Sequence, residues 1–145
     1  MLVNGVPHNL RRQVWLRSCG AASYRAEVSL RYDELVVCAH VLLQGTETCA
    51  QIEKDLLRTF PNNYYFSSMD TEGTKRLRRV LYTTAWTLPE IGYCQGMGML
   101  VAMLLLVMEE EEAFWSLRAI LLRLIPRDYY SSTLLGAMTD QRVLR

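Results

Sequence analysis

The chain has 145 residues, of which 50% are hydrophobic and 21% charged, a composition that can build the core of one domain. Its formal net charge of +1 provides no general attraction to nucleic acid or to an anionic membrane surface. No basic region followed by an apolar stretch opens the chain, so we expect no signal peptide. Four widely spaced cysteines without a C-x-x-C pair, and only two histidines, predict reduced thiols in the cytoplasm and no structural metal site.

The first predicted helix begins near Pro7, a residue type suited to the first position of a helix. Its apolar residues recur at helical spacing, so Leu10 and Val14, with Trp15 or Leu16, are expected to face a core.

Residues 31–44 predict a second helix, which Gly45 ends. Thr48 and Gln51 have the T-x-x-Q spacing of a capping box, which predicts a third helix from about residue 49 to about residue 58. The second helix is expected to bury one wide apolar face, which consists of Leu35, Val36, Ala39, Leu42 and Leu43.

A loop of about a dozen polar and aromatic residues follows Pro61, a length that is uncommon in a loop without a function. The next helix is predicted over residues 73–88 and ends before Pro89. Four basic residues near its start allow two interpretations, a solvated helix face or a nucleic-acid site. The lack of interleaved aromatic residues favours the solvated face. These residues are Lys75, Arg76, Arg78 and Arg79.

Residues 91–108 contain no charged residue and could be mistaken for a membrane span. Glycines and a glutamine interrupt the first part, and the continuous apolar run 97–108 is shorter than the roughly 20 residues that a span requires. We therefore predict a buried core helix and no insertion into a membrane.

The glutamates 109–112 are expected near the start of a further helix, where negative charge is favoured. Pro126 breaks the helical pattern, and a final weak helix is predicted after Leu134. The succession of helices, without a clear strand pattern, predicts an all-α fold.

Two pairs of residues have both a structural and a functional interpretation. Arg11 and Trp15 are four residues apart and can stack on one helix face, which is mostly a packing device. Asp55 and Arg58 are spaced for an intrahelical ion pair, which at a surface contributes little to stability. Alternatively, Arg58 stands at a helix end beside a long loop, where Asp55 could hold its guanidinium toward a partner.

Gln95 lies in the segment GYCQGMG, with Gly92 and Gly96 on either side. It could be an ordinary turn residue, or its amide could orient a water molecule close to another surface. The sequence has no P-loop and no G-x-G-x-x-G after a strand, and it lacks G-x-S-x-G and H-E-x-x-H. We therefore expect no nucleotide site, metal site or cofactor of its own.

Three motifs in order resemble the TBC domain, the GTPase-activating domain that acts on Rab-type small GTPases. They are G-[IV]-P followed by R-x-x-x-W, then I-x-x-D-x-x-R continuing as RTFP, then Y-x-Q within GYCQGM. The segments EEEEAFW and LLGAMTDQRVL look most like the small G protein signalling modulators, the branch that includes the RUN-and-TBC protein. The matching residues are Gly5, Val6, Pro7, Arg11, Trp15, Ile52, Asp55, Arg58, Thr59, Tyr93, Gln95 and Gly96.

The resemblance implies that Arg58 and Gln95 are catalytic and act in trans on a Rab-type GTPase in its GTP form. Asp55 would orient Arg58, and Tyr93 would support the Gln95 loop. Arg11 and Trp15 would be chiefly structural, and further supporting positions would be Ile52, Thr59 and Gly96. GTP and Mg²⁺ would belong to the partner. The protein would be cytoplasmic, would reach endomembranes through partners and would take part in vesicle trafficking.

The resemblance also implies that residues 1–145 are a partial TBC domain, cut on its carboxyl-terminal side. A module that binds a GTPase or another protein without accelerating hydrolysis is therefore the second interpretation, and a plain helical scaffold is the third. The last helices are expected to expose apolar side chains that the second half of a TBC domain would cover. The candidates are Leu121, Leu122, Leu124, Leu134 and Leu135.

Overall fold

A computed structural model of the chain describes residues 5–126 and 129–130. Within these ranges, regular structure is helical and no strand occurs, which confirms the predicted all-α fold. The helix predicted after Leu134, and the exposure expected for Leu134 and Leu135, lie outside the described residues. The helices are α1 (His8–Ser18), α2 (Ala21–Glu27), α3 (Tyr32–Leu42), α4 (Glu47–Thr59), α5 (Glu72–Thr87), α6 (Met97–Leu105) and α7 (Glu110–Ala119).

The core is arranged around α5, which packs against α3, α4, α6 and α7. Leu77 and Val80 of this helix are fully buried. From α6, Val101 and Ala102 are buried against it, so the uncharged segment forms a core helix as predicted, although it ends at Leu105. No single helix among the described residues is long and apolar enough to cross a membrane, and only α3 and α4 together, bent by 108°, pass that test.

The first two predicted helices bury fewer apolar side chains than their sequence patterns indicated. No residue of α1 is buried, and Leu10 and Trp15 remain 44% and 38% exposed, because α1 packs only at the edge, on α2 and α7. In α3, Leu35 and Ala39 are buried, but Leu42 is 58% exposed. The apolar face predicted for α3 was therefore too wide.

The amino-terminal cap of α4 differs from the predicted capping box. Thr46, in extended backbone geometry, accepts a hydrogen bond from the Cys49 amide at 3.2 Å and so begins the helix two residues earlier than expected. Gln51 does not reach back to the cap, since its amide donates to Glu47 at 3.3 Å. The inner side of α4 carries Ile52 and Leu56, which are both fully buried.

The glutamates 109–112, called here the glutamate run, tie α7 to the helices around it. Glu109 and Glu112 form a capping box at the start of α7. Each carboxylate also pairs with an arginine on another helix, so part of the basic cluster at the start of α5 is neutralised within the fold. The pairs are Glu109–Arg76, Glu110–Arg79, Glu111–Arg25 and Glu112–Arg12.

This pairing corrects the view of the basic cluster as a plain solvated face. Arg76, Arg78 and Arg79 are partly buried and bound to carboxylates, whereas Lys75 is exposed. Arg78 donates to both carboxylate oxygens of Glu53, at 2.7 and 3.1 Å, and so joins α5 to α4.

Candidate functional site

The end of α4 places a charged pair at the protein surface. Arg58 lies in the last turn of α4, where positive charge is favoured, and donates to a carboxylate oxygen of Asp55 one turn earlier. The Arg58 side chain is 61% exposed, whereas that of Asp55 is only 8% exposed. The pair therefore differs from an ordinary surface ion pair, because its acidic member is buried and its basic member faces solvent.

A second element reaches the same carboxylate. The Tyr93 hydroxyl donates to the other carboxylate oxygen of Asp55 at 2.7 Å, across 38 positions of the chain. Burial of Tyr93, its hydrogen bond to Asp55 and the negative charge of that carboxylate raise the pKa of Tyr93 above its ordinary value. The phenol therefore remains a hydrogen-bond donor, and Asp55 is held between Arg58 and Tyr93.

A tight turn presents Gln95 beside this network. The Met97 amide donates to the Cys94 carbonyl at 3.1 Å, which leaves Gln95 and Gly96 at the two corners of the turn. Gly96 has a φ of 102°, a left-handed geometry that glycine adopts readily at this position. The Gln95 side chain is exposed and has no hydrogen bond to the part of the chain that the structure describes.

The two elements form one cleft of about 210 Å³, called here the Arg58–Gln95 cleft. It brings together Arg58 and Gln95, which lie 37 positions apart, and the supporting residues Asp55 and Tyr93. Its full lining is Asp55, Arg58, Thr59, Tyr93, Gln95, Gly96 and Met99.

Other residues predicted for the site lie around it or elsewhere. Ile52 of α4 is fully buried, and Thr59 donates from its hydroxyl to the Asp55 carbonyl at 2.7 Å. Arg11 donates to the Val6 carbonyl at 3.0 Å, which attaches α1 to the segment before it. Arg11 and Trp15 form no cation–π contact with each other, so the predicted stacking is absent.

Met99 and Cys94 were not singled out from the sequence. Met99 lies in the first turn of α6 and lines the Arg58–Gln95 cleft, which its position three residues after Gly96 could have indicated. Burial raises the pKa of the Cys94 thiol, so a thiolate is disfavoured beside the cleft. Within the described ranges, no group of three or more His, Cys, Asp and Glu residues is arranged to hold a metal ion.

Fold and site together define an all-helical domain that presents an arginine and a glutamine from two elements in one cleft. The chain belongs to the Rab-GTPase-TBC domain family, whose model matches residues 8–145. This confirms the resemblance seen in the three motifs.

Two similar proteins support the assignment to this family. The chain is 52% identical over 147 residues to human small G protein signaling modulator 3, covering 100% of this chain and 19% of that protein. It is 43% identical over 142 residues to mouse TBC1 domain family member 2B, covering 97% of this chain and 15% of that protein. The chain thus spans about a fifth or less of the length of these relatives.

A solved structure shares the fold. The Chlamydomonas flagellar RabGAP TBC domain superimposes with a TM-score of 0.77 at 31% sequence identity. The match covers 88% of this chain and 43% of that chain.

Proposed function

We propose that the protein is a GTPase-activating protein for a Rab-type small GTPase in its GTP form, and that it acts in vesicle trafficking. The observation that carries the proposal is the Arg58–Gln95 cleft, in which a buried carboxylate holds an exposed arginine next to an exposed glutamine. Membership of the Rab-GTPase-TBC domain family supports the choice of partner. GTP and Mg²⁺ are contributed by that partner.

Arg58 would act on the charge that develops during hydrolysis. Negative charge accumulates on the oxygens around the transferring phosphoryl group, and an arginine supplied in trans accelerates the reaction by roughly 10³–10⁵-fold. The Arg58 side chain is 61% exposed, so its guanidinium can contact a phosphate of the partner. Asp55 and Tyr93 limit the orientations of the guanidinium beforehand, so less ordering is required when the partner binds.

Gln95 would orient the attacking water. A glutamine amide offers both a carbonyl acceptor and N–H donors, so it can fix a water molecule and contact a phosphate oxygen at once. The Cys94–Met97 turn holds the backbone of Gln95 at the cleft, while its side chain is free to turn toward a partner.

Single-turnover GTP hydrolysis with a panel of Rab GTPases tests the proposal on the protein at its full natural length. Arg58→Ala and Gln95→Ala are each expected to abolish most of the stimulation, while the helical circular dichroism stays unchanged. Arg31→Ala is the matched control, because Arg31 is a 66% exposed arginine that also has a carboxylate three residues away. Full activity of Arg58→Ala would contradict the assigned role.

Arg58→Lys separates the shape of the group from its charge. Lysine keeps the positive charge but lacks the planar fork of donors that can bind two oxygens at once. We therefore expect Arg58→Lys to lose most of the stimulation, and stimulation near that of the unchanged protein would show that charge alone suffices.

A binding module without activity is the second candidate. It is favoured by one observation, that the Arg58 guanidinium already has a carboxylate partner within this chain, Asp55. Hydrolysis and surface binding measured side by side separate the two candidates, because a binding module would retain the GTP-bound Rab on a sensor surface without changing its hydrolysis rate.

A further inference from the structure

α4 and α6 approach each other closely at one point behind the Arg58–Gln95 cleft. A methyl group placed on Gly98, in the first turn of α6, would lie 2.7 Å from Oγ1 and 3.2 Å from Cγ2 of Thr59. Thr59 is the last residue of α4 and directly follows Arg58. Only the absence of a side chain at position 98 therefore lets the two helices lie at this separation.

Thr59 has little freedom to move aside. Its hydroxyl donates to the Asp55 carbonyl at 2.7 Å, and the residue is only 9% exposed. Threonine is also branched at Cβ, which restricts its rotamers. A larger residue at position 98 would therefore displace α6 as a whole instead of rotating the Thr59 side chain.

Displacement of α6 would separate the two functional side chains. Gln95 occupies the turn that leads into α6, three residues before Gly98, and Arg58 is the neighbour of Thr59 on α4. We propose that Gly98 is a positioning residue: its contact with Thr59 sets the spacing between Arg58 and Gln95. This inference rests on the proposed function and extends it to a residue that does not line the cleft.

Gly98→Ala should change thermal stability in opposite directions, depending on which residue occupies position 59. Glycine is among the poorest helix formers, so alanine in open space at a helical position would favour the helix. The atoms of Thr59 oppose this at position 98. We expect Gly98→Ala to lower the melting temperature in the natural background and to raise it when Thr59 is alanine, because Thr59→Ala removes both crowding atoms.

The test measures stimulated hydrolysis for Gly98→Ala, Thr59→Ala and the double variant, in the protein at its full natural length. Gly98→Ala is expected to lower kcat by at least about tenfold, since displacements near 1 Å carry losses up to about a hundredfold. KM for the GTPase should remain within about twofold, because the spacing between Arg58 and Gln95 affects the transition state more than the binding of the GTPase before reaction. In the Thr59→Ala background, Gly98→Ala should cause no further loss.

Binding of two nucleotide forms of the GTPase provides a second readout. Gly98→Ala should weaken the complex with the GDP–aluminium fluoride form, which mimics the transferring phosphoryl group, by about tenfold or more. The complex with a non-hydrolysable GTP analogue should keep its affinity. Met103→Ala is the control, because Met103 lies on the same helix, is 50% exposed and does not line the cleft.

The inference is overturned if Gly98→Ala is fully active, if its loss is equal in both Thr59 backgrounds, or if only KM changes. If Gly98→Ala fails to fold, the inference is supported when the double variant folds and stimulates hydrolysis to the level of Thr59→Ala alone. It is overturned when the double variant does not fold or stimulates less than Thr59→Ala alone. Full activity of Arg58→Ala would refute the proposed function and this inference together. Loss in Arg58→Ala with full activity in Gly98→Ala refutes this inference alone.

Discussion

At the scale of single residues, burial of Asp55 distinguishes the site from a surface ion pair. The Asp55 carboxylate accepts hydrogen bonds from Arg58 and from Tyr93, and its side chain is only 8% exposed. A charge-assisted hydrogen bond of this kind is worth about 1.5–3 kcal/mol when its partner would otherwise be unpaired. Tyr93 thus connects the segment carrying Gln95 to the helix carrying Arg58.

Tyr93→Phe tests this connection. The variant removes one oxygen and leaves an Asp55 carboxylate oxygen unpaired, so we expect a loss of about 1.5–3 kcal/mol in the free energy of unfolding. We also expect kcat for stimulated hydrolysis to fall about tenfold, because the Arg58 orientation is held less firmly. Urea unfolding and single-turnover kinetics measure the two effects. Tyr64→Phe is the control, because Tyr64 is 91% exposed, and equal effects in both variants would contradict the assigned connection.

Residue spacing could predict part of this site. The three-residue interval shows that Asp55 and Arg58 can pair, and the order of three motifs indicates Gln95 as their companion. The contact between Asp55 and Tyr93 spans 38 positions, so it depends on how α4 packs beside the turn and no local pattern reveals it. Gly98 was not singled out for the same reason, since its role depends on the nearness of Thr59.

At the scale of helices, α4 is held in place by charge as well as by apolar packing. Arg78 on α5 donates two hydrogen bonds to Glu53, and Tyr82 donates a third at 2.8 Å. Burial alone would raise the pKa of Glu53, but the hydrogen bonds from Arg78 and Tyr82 outweigh it and lower the pKa below the ordinary value of 4.5. The ionised form of Glu53 therefore stabilises the position of α4 on α5.

Glu53→Gln tests this interaction through its pH dependence. A lowered pKa in the folded state contributes stability above the ordinary value of 4.5, and this contribution is lost as the pH falls through the folded value. We expect Glu53→Gln to lower the free energy of unfolding by about 1–2 kcal/mol at neutral pH and much less near pH 3. Urea titrations between about pH 7 and about pH 3 measure the difference.

The control for this experiment is Glu34→Gln. Glu34 pairs with Arg31 at 3.7 Å, and both side chains are about two-thirds exposed, at 67% and 66%. Exposed pairs contribute about 0–1 kcal/mol, so this variant should change stability little at any pH. If the free energy of unfolding of Glu53→Gln depends on pH in the same way as that of the unchanged protein, the ionised carboxylate has no stabilising role.

The position of a helix start was predicted correctly where the sequence carried one strong local signal. The glutamate run lies at the start of α7 as predicted, because acidic residues satisfy the free amides of a first turn. The short helix α2 has only Ala21 and Tyr24 as buried residues, and a helix of about two turns leaves too little repeated pattern to detect. The predicted cap Thr48 was wrong, because Thr46 has the extended backbone geometry of a cap and accepts the hydrogen bond from the Cys49 amide.

At the scale of the whole molecule, the fold class was predictable but the exposed apolar surface only in part. Leu122 and Leu124 are exposed, at 38% and 56%, as expected from the sequence. Leu121 is 3% exposed, which corrects the expectation for that residue. Leu121 lies four residues after Leu117 and seven after Phe114, both fully buried, so helical spacing places it on the core face. The chain forms one wider helical turn here, Ile120–Leu124.

Exposed leucines at the end of this turn predict that the 145-residue chain self-associates when it is expressed alone. Two neighbouring apolar side chains in water favour association, since burying them is worth roughly 25 cal/mol per Å². We expect the sedimentation coefficient to rise with protein concentration, and Leu122→Lys with Leu124→Lys to shift the chain toward the monomer. Ala26→Lys with Gln51→Lys is the control, because it adds the same charge at exposed positions without removing a leucine. Equal shifts in both double variants would assign the effect to net charge, and a concentration-independent monomer in the unchanged chain would show that these leucines do not drive association.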